Sequence, residues 1–385
     1  MLNKNGERAL VYLSNVDEIQ PLMFLNNDTQ ELEEAANIEI LITGGWKLIV
    51  QKNRFEVDNL FVFCEVDTIL PVEIPLFAFL EGKRIRTKKL KGVVSQGVAF
   101  TIPEILSVIQ DIGAKTNAEP EEYARLLGGE FIEVGDDWTN LVNATKYDEY
   151  SNNGRKSDGV KLPPAHARGN FPSFIHKTDE ERIQNLAKEL KYDWQGKEVV
   201  ITEKLDGSSI TLYVQRIVEG ELDKLTYTEM YDHGICSRNL DLKMEFVDNH
   251  FIKTGTPYLD KLIEYCMLNS RSLALQGEII GPGIQGNPYN LDKHEIYFFN
   301  VFDIDAGKKL RHSDAWNIMN TLKVNSVPHL AFDFLKYDME GILALGDGES
   351  RLNPKTNREG IVVRALDGSF SFKVISNKWL LKEKE

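Results

Sequence analysis

The run VVITEKLDGSS at 199–209 places Lys204 at the end of an apolar, β-branched stretch, with Asp206 two positions on and Gly207 after it. A lysine held in this way can attack a phosphorus, provided that its amine is unprotonated. Desolvation or a nearby cation lowers the amine's pKa for that task. An adjacent carboxylate acts in the opposite sense unless a metal ion or another cation offsets it. If the strand continues through this run, positions 204 and 206 face the same way, with Cα atoms roughly 6–7 Å apart. Alone, the spacing also describes an ordinary ion pair at a strand edge.

Further fragments follow in order. GICSRN at 234–239 gives a tight entry to Arg238, whose planar fork suits phosphate or ribose oxygens. ALQGEIIG at 274–281 puts Glu278 in an otherwise apolar strand, where a carboxylate must be hydrogen-bonded or hold a cation. YFFNVFDI at 297–304 is an aromatic strand with rings for a core and one to stack on a base. EGIVVR at 359–364 sets Glu359 at a strand edge, and SFKVISNK at 371–378 brings Lys373 into a late strand. Each fragment alone fits an edge residue on an ordinary strand. Together they describe a phosphate-handling site of acids and cations.

The elements that must position these groups are mainly strands. Val199–Glu203, Ile210–Val214, Leu273–Ile280, Glu295–Asp303, Gly360–Ala365 and Phe370–Val374 are rich in β-branched and aromatic residues. Helices are expected at Glu180–Leu190, Asp241–Phe251 and Tyr258–Leu268. Upstream, strands are expected at Ala9–Leu13, Glu39–Ile42, Trp46–Val50 and Leu60–Glu65, which suit a small barrel. Helices then follow at Pro103–Ile112 and Glu119–Leu127. The polar, Gly- and Pro-rich stretch around SNNGRKSDG and KLPPAHARGNFP separates two regions. The fold class is therefore α+β.

Composition bounds the function. The chain has 385 residues, 42% hydrophobic and 27% charged, so it is globular rather than fibrous or disordered. No stretch approaches the roughly 20 apolar residues of a membrane helix. Three cysteines without close spacing argue against a disulfide framework or a cysteine-rich zinc site, and fit a soluble, intracellular, cytoplasmic protein. The net charge of −14 argues against tight nonspecific binding to nucleic acid. The charge is uneven, however: residues 1–150 carry 14 basic and 25 acidic side chains. Within that acidic region, KRIRTKKLK at 83–91 holds six basic residues and no acid. It is either a solvated edge strand or a phosphate-contacting one that uses Arg84, Arg86, Lys88 and Lys89.

The ordered set EKLDGSS, SRN, LQGEIIG, FFNVFDI, EGIVVR and SFKVISNK resembles the motifs of the covalent nucleotidyltransferase superfamily of DNA ligases, RNA ligases and mRNA capping enzymes. The pattern is most similar to the fifth RNA-ligase class, and RTKKLKGVVSQG at 86–97 resembles that class's N-terminal domain. The resemblance implies an OB-like small β-barrel domain over 1–130. An antiparallel-sheet-rich nucleotidyltransferase domain, an ATP-grasp-like adenylation fold, would follow over 131–385. It implies that Lys204 takes AMP from ATP, that Glu203 lies against the adenine, and that Asp206 sits near the ribose or the metal's water shell. Arg238 would hold ribose or the acceptor strand's end, while Glu278 and Glu359, with Asp206, organise Mg²⁺ or Mn²⁺. Phe299 is the expected adenine-stacking ring, with Tyr297 and Phe298 as alternatives, and Lys373 the α-phosphate contact. Many relatives carry a Lys-x-Lys pair here, whereas position 375 is isoleucine, so a second cationic role falls to Lys378 or elsewhere. The implied partner is a nicked or broken duplex with an RNA 3′-hydroxyl, and the enzyme is expected to act as a monomer. Only residues 379–385 follow Lys378, so the further OB-fold domain of many DNA ligases and capping enzymes is not expected.

Overall fold

The computed structural model describes residues 8–26, 30–113, 132–147, 156–157, 160–161, 165–219 and 228–382. The chain forms two compact units. One comprises Met1–Asn152, Glu181–Asp193 and Leu380–Glu385, and the other Asn153–Glu180 and Trp194–Trp379. The division expected at residue 130 and the helix expected at 119–127 lie outside the described residues.

The first unit is built on short antiparallel sheets. Val11–Asn15, Leu60–Cys64 and Val98–Phe100 form one, and Glu18–Leu25, Leu32–Thr43 and Trp46–Gln51 another. Alternation of side chains along Trp46–Gln51 sends Trp46, Leu48 and Val50 into a core shared with Leu13, Phe61, Phe63 and Phe77. The turn at Gly44 requires φ of +55°, and a Cβ there would meet the Gln184 carbonyl at 2.9 Å. Glu181–Asp193 is held in this unit by the Gly45 amide donating to that same carbonyl. Trp46 Nε1 donates to Asn185 Oδ1 at 2.7 Å, and Asn185 Nδ2 donates to buried Glu65 at 2.7 Å. These contacts replace the regular helix expected over 180–190 with a 3₁₀ turn, Ile183–Leu186, followed by a short helix, Ala187–Tyr192.

Among the described residues, the second unit contains two large antiparallel sheets beside the short pair Lys156–Ser157 and Val160–Lys161. The larger has seven strands in the order Ala167–Asn170, Leu240–Leu242, Thr228–Cys236, Ser208–Glu219, Leu273–Ile280, Glu295–Asp303 and Lys308–Lys309. Helices His250–Asn269 and His312–Leu322 cover one face through Ile252, Leu259, Leu262, Ile318 and Met319, packed against Leu212, Leu275 and Phe298. The smaller has four, ordered His329–Phe334, Glu198–Lys204, Gly360–Ala365 and Ser371–Ile375. All six strands expected in this region form. The helix expected at 241–251 does not. Asp241 instead joins the strand Leu240–Leu242, second in this sheet, where its buried carboxylate accepts from the Tyr213 hydroxyl at 3.0 Å, and the helix begins at His250 behind the Asn249 cap. Among the described residues no helix is long and apolar enough to cross a membrane. All three cysteines are buried and free.

Candidate active site

Lys204 ends its strand in the four-stranded sheet, and four residues later the chain enters the seven-stranded sheet at Ser208. The strand does not continue through Asp206, as the spacing suggested. Leu205 turns inward, almost fully buried, and the Asp206 amide donates to the Tyr289 hydroxyl at 2.6 Å. Gly207 permits this crossing, because a Cβ there would stand 2.5 Å from the Ile279 carbonyl and 2.8 Å from Glu278 Cγ. The lysine therefore sits where two sheets meet, and each sheet contributes one glutamate.

Glu359 comes from the four-stranded sheet, immediately before Gly360, which pairs with Lys204. Gly360 has no room for a side chain, since a Cβ would fall 2.1 Å from the Val374 carbonyl. Both carboxylate oxygens of Glu359 lie 2.6 Å from Lys204 Nζ. Glu278 comes from the seven-stranded sheet, opposite Ser209. Burial pushes its carboxyl up to about 7, against the lowering pull of Lys204 and with Glu359 raising it further. Burial also acts to lower the Lys204 pKa, but Glu359, Glu278 and Asp206 outweigh it, and the amine is raised. In this state Lys204 is an ammonium ion.

Arg238 stands in the turn between Thr228–Cys236 and Leu240–Leu242, close enough to lower the Glu278 carboxyl's pKa. Lys373 pairs with Val362 and so shares a sheet face with Lys204 and Arg364. Sequence reasoning missed Asp179. Its carboxylate binds Lys373 Nζ at 2.8 Å and lies 3.5 Å from the Arg238 guanidinium. Only an acid next to Glu180 in a polar segment marks it in the sequence. Glu180 is largely enclosed and ion-paired with Lys309 and Arg364, and it accepts from the Ser371 hydroxyl.

The aromatic strand resolves by alternation. Phe298 is fully buried in the helix-covered core, on the opposite side from Tyr297 and Phe299. Those two rings line an apolar cluster with Leu205, Ile280, Tyr289, Val327, Leu291 and Leu352. The Arg364 guanidinium lies over the Phe299 ring, 5.6 Å from its centre. Glu203 faces away from Lys204, as neighbours on a strand must. Its Oε2 accepts the Arg351 amide at 2.7 Å beside Ser350, and its buried Oε1 has no hydrogen-bond partner among the described residues. The turn it holds, 350–353, carries Leu352 into the apolar cluster.

Two expectations take a different form. Lys378 lies exposed on the short helix Asn377–Leu380, after the strand has ended, and does not join the group around Lys204. Asp206, Glu278 and Glu359 do not form a preassembled metal cluster: among the described residues no three Asp, Glu, His or Cys side chains stand close enough to hold an ion. The Lys204 ammonium engages both oxygens of Glu359 instead. Still, three carboxylates face two cations here, and the strained ionisation of Glu278 fits a site that a divalent cation would relieve.

In the other unit, Arg84 is turned inward. It pairs with Asp67 at 2.8 Å and lies over the Tyr147 ring, 4.5 Å from its centre, so it serves its own fold. Thr87–Leu90 and Val93–Gln96 form a hairpin on which Lys88 and Lys89 are exposed, with Arg86 half-buried beside them.

Comparison with known proteins agrees with this geometry. Residues 197–379 match the RNA ligase family, and residues 25–102 match a family described as an OB-fold domain. No curated protein sequence matches the chain. Solved structures of a Naegleria gruberi RNA ligase are similar throughout. A lysine-to-alanine mutant of that protein with ATP and Mn is 30% identical, with a TM-score of 0.75, covering 97% of this chain and 99% of that one. A glutamate-to-alanine mutant with AMP and Mn is 30% identical, with a TM-score of 0.76, covering 98% and 99%. The same ligase with PPi is 31% identical, with a TM-score of 0.75 and coverage of 98% and 99%.

Proposed function

This chain belongs to the RNA ligase family, an OB-like β domain joined to a sheet-rich nucleotidyltransferase domain, and we propose that Lys204 is the nucleophile of its ATP-dependent ligation. The observation that carries the reading is the position of Lys204 at the junction of two sheets, facing Glu359 from one and Glu278 from the other. The similar ligase has been seen with ATP, with AMP and with PPi, the substrate and products of a step that leaves AMP on the enzyme.

In the first step, the Lys204 amine forms a bond to the α-phosphorus of ATP as the bond to pyrophosphate breaks. An oxygen of a 5′-phosphate then attacks that phosphorus, frees the lysine, and makes a 5′-to-5′ pyrophosphate link. Finally a 3′-hydroxyl attacks the 5′-phosphate and AMP leaves. Each step moves charge onto phosphate oxygens, so positioned cations supply most of the catalysis. Lys373 faces the α-phosphate, and Arg238 holds ribose or the acceptor end. Phe299, backed by Arg364, stacks on adenine, and the unpartnered Oε1 of Glu203 suits the adenine amino group.

Mg²⁺ or Mn²⁺ held by Glu278 and Glu359, with Asp206 through water, would neutralise phosphate charge and compete with Lys204 for Glu359. The substrate we infer is a nicked or broken duplex with an RNA 3′-hydroxyl, handled by one chain in a reducing, cytoplasmic setting. Two measurements test these assignments. Incubation with α-labelled ATP should give a covalent label that is lost in Lys204→Ala; a label that persists in that variant overturns the nucleophile. A panel of nicked duplexes with RNA or DNA on each side of the break tests the substrate. Equal sealing from a DNA 3′-end removes the RNA assignment.

A further inference from the structure

Asp179 is an acid in the middle of a group built for anions. Its carboxylate is 2.8 Å from Lys373 Nζ and 3.5 Å from the Arg238 guanidinium, the two cations assigned above to phosphate or ribose oxygens. The Lys373 side chain is largely enclosed, whereas that of Asp179 is 45% exposed. An exposed carboxylate bridging two cations has the charge and reach of one phosphate edge. Its neighbour Glu180 is fixed differently, largely enclosed in a set with Lys309, Arg364 and Ser371. The backbone is thus anchored at 180, while the side chain at 179 stands half-exposed between its two cations. Burial tends to raise the Glu180 carboxyl, but Arg364 and Lys309 outweigh it and hold it below its usual range, so the anchor stays charged.

We propose that Asp179 is a resident competitor for the phosphate position between Lys373 and Arg238, holding both cations in place before substrate enters and yielding to a substrate phosphate. The inference rests on the phosphate-binding reading of Lys373 and Arg238. A half-exposed ion pair is weak enough to be exchanged, and a phosphate, with more charge and more acceptor oxygens, displaces it. The same chemistry serves two sources: the α-phosphate of ATP and the 5′-phosphate of the strand to be joined.

The test compares full-length Lys204→Ala, which binds ATP without consuming it, with the double variant Lys204→Ala/Asp179→Asn. With Mn²⁺ present, the double variant should bind ATP about fivefold more tightly, the scale of one half-exposed ion pair. A parallel arm measures a 5′-phosphorylated nicked duplex against its 5′-hydroxyl counterpart. Tightening confined to the phosphorylated duplex assigns the position to the acceptor strand, and tightening confined to ATP assigns it to the nucleotide. Equal or weaker binding in both arms overturns the proposal. Lys373→Met in the same background separates the two levels. If it weakens neither ligand, the phosphate reading of Lys373 fails and the inference fails with it. If it weakens binding while Asp179→Asn tightens nothing, only the inference fails. Asp179→Ser, checked for an unchanged melting profile, repeats the comparison should the asparagine variant fold poorly.

Discussion

Lys204 and Glu359, 155 positions apart in the chain, meet with Nζ 2.6 Å from both carboxylate oxygens. The contact keeps the Lys204 amine protonated, because the carboxylates around it outweigh the effect of burial. Removing the Glu359 charge should therefore lower the Lys204 pKa. In Glu359→Gln without divalent ions, the Lys204 side chain, followed by NMR, should titrate at lower pH than in the parent. Unchanged titration would show that Glu359 does not set the amine's protonation. The same variant should lose most of its divalent-dependent lysyl-AMP formation.

Glu278 gives a prediction about stability and pH. Its folded-state pKa of about 7 lies above the roughly 4.3 of an unfolded chain, so folding favours the protonated form. Ionisation thus costs stability progressively from about pH 4 upward, and the cost is complete above about pH 7. Glu278→Gln should melt higher than the parent at pH 8, by up to about 3 kcal/mol in stability, and no higher at pH 4. An equal shift at both pH values would remove the ionisation argument. Sealing activity should fall sharply in this variant, so the more stable protein would be the less active one.

Phe299 and Tyr297 separate by their neighbours. Both line the apolar cluster beside Leu205, but only Phe299 lies against the Arg364 guanidinium. Phe299→Ala should raise the ATP KM for adenylylation by tenfold or more, the scale of about 1–3 kcal/mol for stacking of a base on an aromatic ring. Tyr297→Ala should change it less. The reverse order in steady-state kinetics would move the stacking role to Tyr297.

The basic run at 83–91 divides into two kinds of cation. Arg84→Ala should lower the melting temperature, because it removes the 2.8 Å ion pair to half-buried Asp67 and the cation over the Tyr147 ring, leaving Asp67 the longer 3.4 Å contact with Arg182. Lys88→Ala/Lys89→Ala should leave melting unchanged and weaken nick sealing, with a loss that is largest at low salt and narrows as salt rises. Labelling by ATP should be untouched in the lysine pair. If the pair seals normally at low and physiological ionic strength, those lysines only solvate an edge.

The sequence alone determined the strands of the catalytic unit and the order of its charged groups. Apolar β-branched runs such as VVITEK and GIVVR can satisfy their burial only as strands, so their identity is local. The sequence placed Gly207 between two expected strands and Gly360 at the start of another, without marking the atoms' width of space that lets the sheets approach. Tertiary structure decided the rest. Asp241 looked helical, yet the Tyr213 hydroxyl binds its buried carboxylate in a strand, and Arg84 looked like a surface cation until Asp67 and Tyr147 surrounded it. Tyr297, Phe298 and Phe299 were equivalent by type, and only the strand's register sent Phe298 into the core. Asp179 had no distinguishing pattern at all. Its meaning comes from Lys373, 194 positions away, and a one-dimensional reading has no term for a pairing that only the closed sheets bring within 2.8 Å.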